Sequence, residues 1–306
     1  MKKVVESKKT NFKKISLTIL AVIIIVLVIG PLAFSMFDGN KVGNVALIPI
    51  EGVITTSGGS YLGDSTVSSK EVVNYIKDAE ESELVQVIML EINSPGGSAV
   101  ASDEIAIAVK KVQKPVIAVI REAGASGGYW IASSTDYIIA NKMSTTGSIG
   151  VISSYLEFSG LMQDYGVGYE RLVAGENKDM GTPFRKLTDK EKIILQGKLD
   201  KIHQFFIEEI AKNRNMSIMD VKNLATGEFY LGIEAYQLGL VDALGTRDTA
   251  EEYIKKTYGL EEIDYVVYQK EVSFFELLSG VFSNWSFSVG EGIGSTLVKS
   301  QNSILI

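Results

Sequence analysis

Four short apolar runs constrain this chain more than any other feature: residues 45–50, 85–92, 115–120 and 137–140. Each is too short for a typical helix and nearly continuous in Val, Ile, Leu and Ala, the pattern of buried strands rather than half-exposed ones. Helical patterns fall between them. Ser68-Ser69-Lys70-Glu71 is a capping box that opens a helix with Val72, Ile76 and Ala79 on one face, and a second helix is predicted over 99–112. Alternation of this kind predicts an α/β fold with a mostly parallel sheet. Residues 57–66, rich in Gly and Ser, read as a surface loop.

The run at 115–120 leads into Gly124-Ala125-Ser126-Gly127-Gly128, and a short helical segment, 129–134, leads out. A serine on a glycine-flanked turn between strand and helix is exposed, tightly held and close to N–H groups that no helical bond uses. Ser126 is therefore a candidate nucleophile. Asn93-Ser94-Pro95-Gly96-Gly97-Ser98 forms a comparable turn after the strand at 85–92.

Further along, Thr146-Gly147-Ser148-Ile149-Gly150 reads as a glycine-punctuated turn into a strand, and residues 169–173 as another strand opening into a polar loop, 175–180. Thr188-Asp189-Lys190-Glu191 is a second capping box. It starts a long helix with an apolar stripe at Leu195, Leu199, Ile202, Phe206 and Ile210.

The ends differ from this body. The first 14 residues hold six lysines against Glu6, a net +5, whereas the 306-residue chain carries −7. A body that acidic repels phosphates, which argues against nucleic acid as a partner. Residues 15–37 contain no charge, and 23 residues at helical rise reach roughly the ~30 Å of a bilayer core. With lysines before it and Asp38 after it, the positive-inside rule places the N-terminus in the cytoplasm and the remainder outside the cell membrane, on a single-pass anchor. A cleaved signal peptide is the alternative, with a shorter apolar region. The expected organisation is a basic segment over 1–14, a transmembrane anchor over 15–37, one catalytic domain over 38–270, and an apolar, aromatic segment over 271–306 whose role stays open.

Residue usage narrows the chemistry. The chain has no cysteine, so it has neither a thiolate nucleophile nor a Cys-ligated metal, and its single histidine, His203, rules out a His-rich zinc site. No metal or cofactor is expected. A Ser–carboxylate–His triad would need His203, which falls inside the long helix beside its apolar stripe and reads as a packed helix flank. A Ser–Lys dyad instead needs a lysine whose pKa falls from about 10.4 toward the working pH. Thirty lysines and arginines leave the choice of that lysine open on composition alone.

Several stretches together narrow that choice. They are the 45–54 entry with Pro49-Ile50-Glu51-Gly52, Asn93-Ser94-Pro95-Gly96-Gly97, Ala125-Ser126-Gly127-Gly128-Tyr129-Trp130, Thr146-Gly147-Ser148-Ile149-Gly150-Val151, Lys178-Asp179 ahead of Pro183-Phe184-Arg185, and Gly239-Leu240-Val241-Asp242-Ala243-Leu244-Gly245. In this order they resemble the signal peptide peptidase A family of membrane-anchored Ser–Lys peptidases, in its short single-repeat form, over roughly residues 45–250. Residues 57–66 and 271–306 match no motif of it.

That resemblance implies a Clp-protease/crotonase-like fold of repeated strand–strand–helix units preceded by one transmembrane helix. It implies Ser126 as nucleophile, Lys178 as general base, Ser148 as the hydroxyl orienting the lysine, and the N–H groups of Gly97 and Gly127 as the oxyanion hole. It further implies hydrophobic peptide substrates such as remnant signal peptides, and a homo-oligomer in which a neighbouring subunit presents the lysine. The competing readings are a silent membrane scaffold, and a non-peptidase enzyme of the same superfold that handles acyl groups. The latter needs carboxylates beside the paired N–H groups, and none stands next to the Gly96 or Ser126 turn in the sequence.

Overall fold

The four apolar runs become neighbouring strands of one sheet. In chain order the elements are β1 (Val45–Glu51), β2 (Val53–Thr55), β3 (Gly59–Tyr61), β4 (Asp64–Ser68), α1 (Ser69–Glu81), β5 (Val87–Ser94), α2 (Ala99–Lys111), β6 (Val116–Ala125) and α3 (Gly127–Ser133). They continue as β7 (Tyr137–Ala140), β8 (Thr145–Gly147), α4 (Ser159–Asp164), α5 (Asp189–Asn213), α6 (Ile218–Leu224), β9 (Phe229–Leu231), α7 (Gly232–Gln237), β10 (Ala243–Leu244), α8 (Arg247–Tyr258) and β11 (Tyr265–Val267). The computed structural model describes residues 42–61 and 64–269, with Ile15, Thr18 and Leu20. Residues 42–269 form one unit; residues 1–41 and 270–306 are grouped as another. The expected anchor, apart from those three residues, and the apolar segment 271–306 lie outside the described residues. Among the described residues no helix is long and apolar enough to cross a membrane.

The main sheet runs β10-β7-β6-β5-β1-β11, and every pair on this path is parallel. Both faces are covered, which explains why the runs are apolar throughout rather than alternating. One face sends Ala46, Ile48, Ile50, Ile88, Leu90 and Ile92 against Val72 and Ile76 of α1, Ile105 of α2 and Ile131 of α3. The other sends Val45, Leu47, Val87, Met89, Ile117 and Val119 against Ala250 and Ile254 of α8. Each such Val, Leu, Ile or Met side chain contributes about 1.5–3 kcal/mol on burial. This mixed α/β architecture is consistent with a Clp-protease/crotonase-like peptidase fold.

β6 carries the site because it changes partner along its length. Ile117–Ile120 pairs with β7, but Ala123–Ala125 pairs with β8. Its other edge follows β5, with a register shift between Ile92 and Ser94. The C-terminal ends of β5, β6 and β8 therefore lie side by side, and the ends of parallel strands are where α/β sheets place ligands.

Three expectations need correction. Residues 57–66 are not simply a loop: β3 and β4 form an antiparallel pair, and β4 also joins β2 in a small separate sheet. Gly147 ends β8 rather than leading into a strand, and residues 149–157 have no regular structure. Residues 169–173 form no strand either. Leu172 is 97% exposed, and β-prone side chains make a strand only where another strand accepts their hydrogen bonds. The long helix is as expected. Thr188 and Glu191 make both halves of the capping box at its start, and Phe206 and Ile210 of its apolar stripe are buried.

Candidate active site

The loop after β5 is stitched down on one side only. Ile54 N–H donates to the Gly96 carbonyl at 2.9 Å, and Ser98 N–H donates to the Ile54 carbonyl at 2.8 Å. Parallel pairing of this form uses the groups on either side of Gly97 and leaves its own N–H directed away. Ser94, fully buried, holds the base of the loop by donating to the Gly52 carbonyl at 2.6 Å and accepting the Gly96 N–H at 3.1 Å. A side chain at Gly97 would run into the Ile54 backbone, and one at Gly96, whose φ is +104°, would meet the Gly127 nitrogen at 2.8 Å. Glycine is required here because the two turns touch through their backbones.

Ser126 sits where β6 becomes α3. Its backbone angles, φ 52° and ψ −120°, lie outside the regions ordinary residues occupy, a strain of about 1–3 kcal/mol that the surroundings must hold. They do so through Ser126 N–H to the Gly147 carbonyl at 2.8 Å and Trp130 N–H to the Ser126 carbonyl at 2.9 Å. The Ser126 hydroxyl makes no capping bond, so it is not spent on the helix that it starts. Gly127 N–H belongs to the first turn of α3 and, like that of Gly97, has no acceptor among the described residues. The two glycines are in contact, since a Cβ on Gly127 would stand 3.3 Å from the Gly97 nitrogen. A nucleophilic hydroxyl beside two unspent N–H groups matches the arrangement that stabilises a tetrahedral oxyanion.

Ser148 follows β8 and faces the same cavity. It too is a non-glycine residue at positive φ, 50°. Its N–H donates to the Glu228 carbonyl at 2.9 Å, and its hydroxyl lies 3.4 Å from the Gly227 carbonyl. Ser126 and Ser148 both line a cavity of about 490 Å³, whose walls include Pro95, Val151, Ile152 and Leu199 beside Gln196, Asp200 and His203. A second cavity of about 440 Å³, lined by Tyr155, Leu187, Ile193 and Leu195 beside Ser153 and Lys192, shares Gln196 and Leu199 with it and adds a more apolar surface along α5.

The sequence reading did not place the α5 wall of this cavity. His203 does lie on the flank of α5, but that flank forms a wall of the Ser126 cavity. Gln196, Leu199, Asp200 and His203 recur at helical spacing, which is the signal that could have placed them on one face. Nothing in the sequence shows that this face turns toward Ser126.

Lys178 is placed differently. It is exposed, lies in a turn, is not among the residues lining the Ser126 cavity, and its amine has no hydrogen-bond or ion-pair partner among the described residues. Its neighbours are held firmly. Arg171 and Arg185 each bind the Asp179 carboxylate through two hydrogen bonds of 2.7–3.1 Å, and Arg185 also grips Glu191 at 2.6 and 2.9 Å. Hydrogen bonds from Arg171 and Arg185 hold the Asp179 carboxyl well below the usual carboxylate range. Glu191 is lowered to about 2, first by Arg185 and then by the Thr188 N–H. This network ties the turn bearing Lys178 to the start of α5 and leaves the lysine free.

No group of His, Cys, Asp and Glu side chains among the described residues could hold a metal ion. A larger cavity of about 560 Å³, lined in part by Arg121, Glu122, Arg247 and Asp248, contains none of the candidate residues. Its two arginines are already engaged by the buried Glu91 at 2.7 Å. Burial pushes that carboxyl upward, yet hydrogen bonds from Arg247 and Arg121 outweigh burial and lower it.

Comparison with known proteins agrees with this geometry. Residues 108–261 match peptidase family S49, a stretch that includes Ser126, Ser148 and Lys178. A candidate protease of Methanocaldococcus jannaschii is 31% identical over 264 residues, 86% of this chain and 84% of that protein. The candidate signal peptide peptidase SppA of Enterococcus faecium is 34% identical over 247 residues, 78% of this chain and 70% of that protein. Protease 4 of Haemophilus influenzae is 32% identical over 214 residues, 69% of this chain but only 34% of that longer protein. With a serine presented beside two unspent N–H groups and relatives of this kind across most of its length, the chain belongs to peptidase family S49 and is an SppA-type serine peptidase.

Proposed function

We propose that this peptidase works through a Ser126–Lys178 dyad completed between two copies of the chain. The observation that carries the reading is the division of the site. Ser126, Ser148 and the two glycine N–H groups are assembled within one chain, whereas Lys178 is exposed, outside the cavity and without a partner among the described residues. The segment bearing it also exposes Ile152, Leu156, Tyr165 and Leu172, which supports a second copy as its partner.

In this mechanism the neutral Lys178 amine takes the Ser126 proton as Oγ attacks the peptide carbonyl. The carbonyl oxygen becomes an oxyanion that accepts from the Gly97 and Gly127 N–H groups. The C–N bond then breaks, and the leaving amine takes the proton back from the lysine ammonium. An acyl-enzyme remains on Ser126, and the lysine activates water to hydrolyse it. Ser148 orients the amine. Because the amine has to be free, turnover rises from neutral toward alkaline pH.

Hydrophobic peptides are the proposed substrates, remnant signal peptides among them, since the cavity continues into an apolar groove along α5. The uncharged run at 15–37 would anchor the enzyme in the cell membrane with the catalytic domain outside the cytoplasm.

The test uses the full chain in detergent. Ser126→Ala and Lys178→Ala are each expected to lower peptide turnover at least about a thousandfold. Mixing the two inactive variants is expected to restore part of it. Wild-type turnover in both single variants would overturn the dyad, and no rescue in verified mixed oligomers would overturn the shared site.

A further inference from the structure

We propose that His203 is a positioning residue: its Nε2–H clamps the Ile149 carbonyl and so fixes both the strained Ser148 turn and the root of the segment that carries Lys178. The proposal rests on the site reading above for its consequences, not for its geometry.

His203 Nε2 lies 3.2 Å from the Ile149 carbonyl oxygen, 54 residues away in sequence. A carbonyl can only accept, so Nε2 bears the proton. That nitrogen is then committed, and it cannot also serve Ser126 as a base without breaking the bond. The same carbonyl accepts the Gly227 N–H at 3.2 Å, which fills both of its lone pairs.

The position of this bond is what gives it consequences. Ser148, with φ 50°, costs about 1 kcal/mol or more to hold in the left-handed region. On its β6 side the turn is tied by the Ser126 N–H to the Gly147 carbonyl, and from Ser148 onward its backbone ties come from Gly227 and Glu228. Among the described residues His203 is the one α5 side chain that hydrogen-bonds the turn. Ile149 is fully buried, and beyond it the chain leaves the sheet for residues 150–157, which are exposed or half-exposed and irregular. The excursion returns at Thr188, the N-cap of α5. His203 thus joins the helix where the segment ends to the point where it begins.

Because the chain has one histidine, its imidazole can be read without ambiguity. Solid-state NMR of the full chain labelled with ¹⁵N-histidine at pH 8 is expected to show the Nε2–H tautomer; the Nδ1–H tautomer would overturn the clamp. Two variants then test its role. His203→Leu removes the donor at similar volume and is expected to slow both kcat and the labelling of Ser126 by a phosphonofluoridate about tenfold or more, with KM within about threefold. His203→Gln keeps an N–H donor and is expected to recover to within about threefold of wild type.

Wild-type rates in the leucine variant would overturn the proposal. So would a glutamine variant as slow as the leucine one, because the ring itself, as base or wall, would then carry the effect. If the leucine variant does not fold, the tautomer and the glutamine variant decide. Should Lys178→Ala prove fully active, the dyad fails, while the tautomer and the labelling rate still judge the clamp.

Discussion

The Ser126 side of the site and the Lys178 side are built in opposite ways. Ser126, Ser148, Gly97 and Gly127 stand at the ends of parallel strands whose residues are buried on both faces, and each turn is fixed by backbone bonds, the Gly97 turn to Ile54, the Ser126 turn to Gly147 and the Ser148 turn to Glu228. Lys178 stands on a segment with few buried residues, held locally by arginine–carboxylate pairs. Strained backbone such as that of Ser126 persists only where the fold over-determines it, which the strand ends do. On the proposed mechanism, a lysine that must lose water to become a base needs the opposite: freedom until a partner surface covers it. The difference teaches that backbone strain is stored where the sheet holds it, at Ser126 and Ser148, and that the exposed Lys178 segment relies on local side-chain pairs.

The sharpest way to break this comparison is to place the same substitution on both sides. Gly97→Ala puts a methyl group onto the Ile54 backbone, which cannot turn away as a side chain could. It is expected to cost about 1–3 kcal/mol of stability, and to lower kcat about a hundredfold or more by displacing one oxyanion donor. Gly168→Ala, in the exposed segment, has nothing within 4 Å and is expected to change stability by less than about 0.5 kcal/mol. Thermal melts with kcat measure both. Equal effects would mean that the two sides are not built differently.

That contrast also explains what could be read from the sequence. The strands at 45–50, 85–92 and 115–120 were legible because burial on both faces leaves a continuous apolar signature. The Gly96-Gly97 and Gly127 turns were legible because only glycine allows two backbones to touch. Residues 169–173 looked like a strand because Tyr, Leu and Val carry the same signature, yet strand formation depends on a neighbour that the sequence does not name. The hairpin β3–β4 was hidden by its Gly and Ser content. His203 was misjudged for a related reason: periodicity assigns a residue to a helix face, but not that face to a cavity. Lys178 is singled out by resemblance, not by any local pattern, since an exposed lysine in a turn looks like any solvated one.

Arg185→Ala sharpens the comparison at an intermediate level. Among the described residues Arg185 is the one side chain that binds both Asp179 and Glu191, and its loss leaves the Lys178 turn tied to α5 through the exposed Lys190–Glu176 pair. Turnover is expected to fall roughly ten- to hundredfold through misplacement of the lysine. The melting temperature should change little, because the sheet does not depend on this network. A fall in melting temperature comparable to that of Gly97→Ala would show the segment to be part of the core after all.

Acid should separate the two sides without any mutation. Asp179 and Glu191 are both lowered in the folded chain, Glu191 to about 2. A lowered carboxyl contributes order that is fully present above its unfolded value, about 4, and that is lost as pH falls toward the folded one. The Lys178 turn should therefore loosen between about pH 4 and pH 2. Hydrogen exchange across that window is expected to show residues 171–191 losing protection before β5 and β6. Loss in β5 first would point instead to Glu91, the lowered carboxyl of the sheet.

The smallest effect on the folded chain, and the most specific one on assembly, is expected from Leu172→Ser. Leu172 is 97% exposed, so removing it takes nothing from the core, and the melt of dilute protein should shift by less than about 0.5 kcal/mol in stability. If a second copy covers this segment, the same leucine becomes buried in the oligomer, where a leucine is worth about 1.5–3 kcal/mol. That corresponds to roughly ten- to a hundredfold weaker association. Sedimentation across a dilution series measures it, and turnover should fall in step with dissociation, because Lys178 would no longer reach a neighbour's Ser126. Weakened assembly with turnover per chain unchanged would keep the interface but refute the shared dyad. Unchanged assembly would mean that some other surface joins the subunits, and that the exposed leucine meets a different partner.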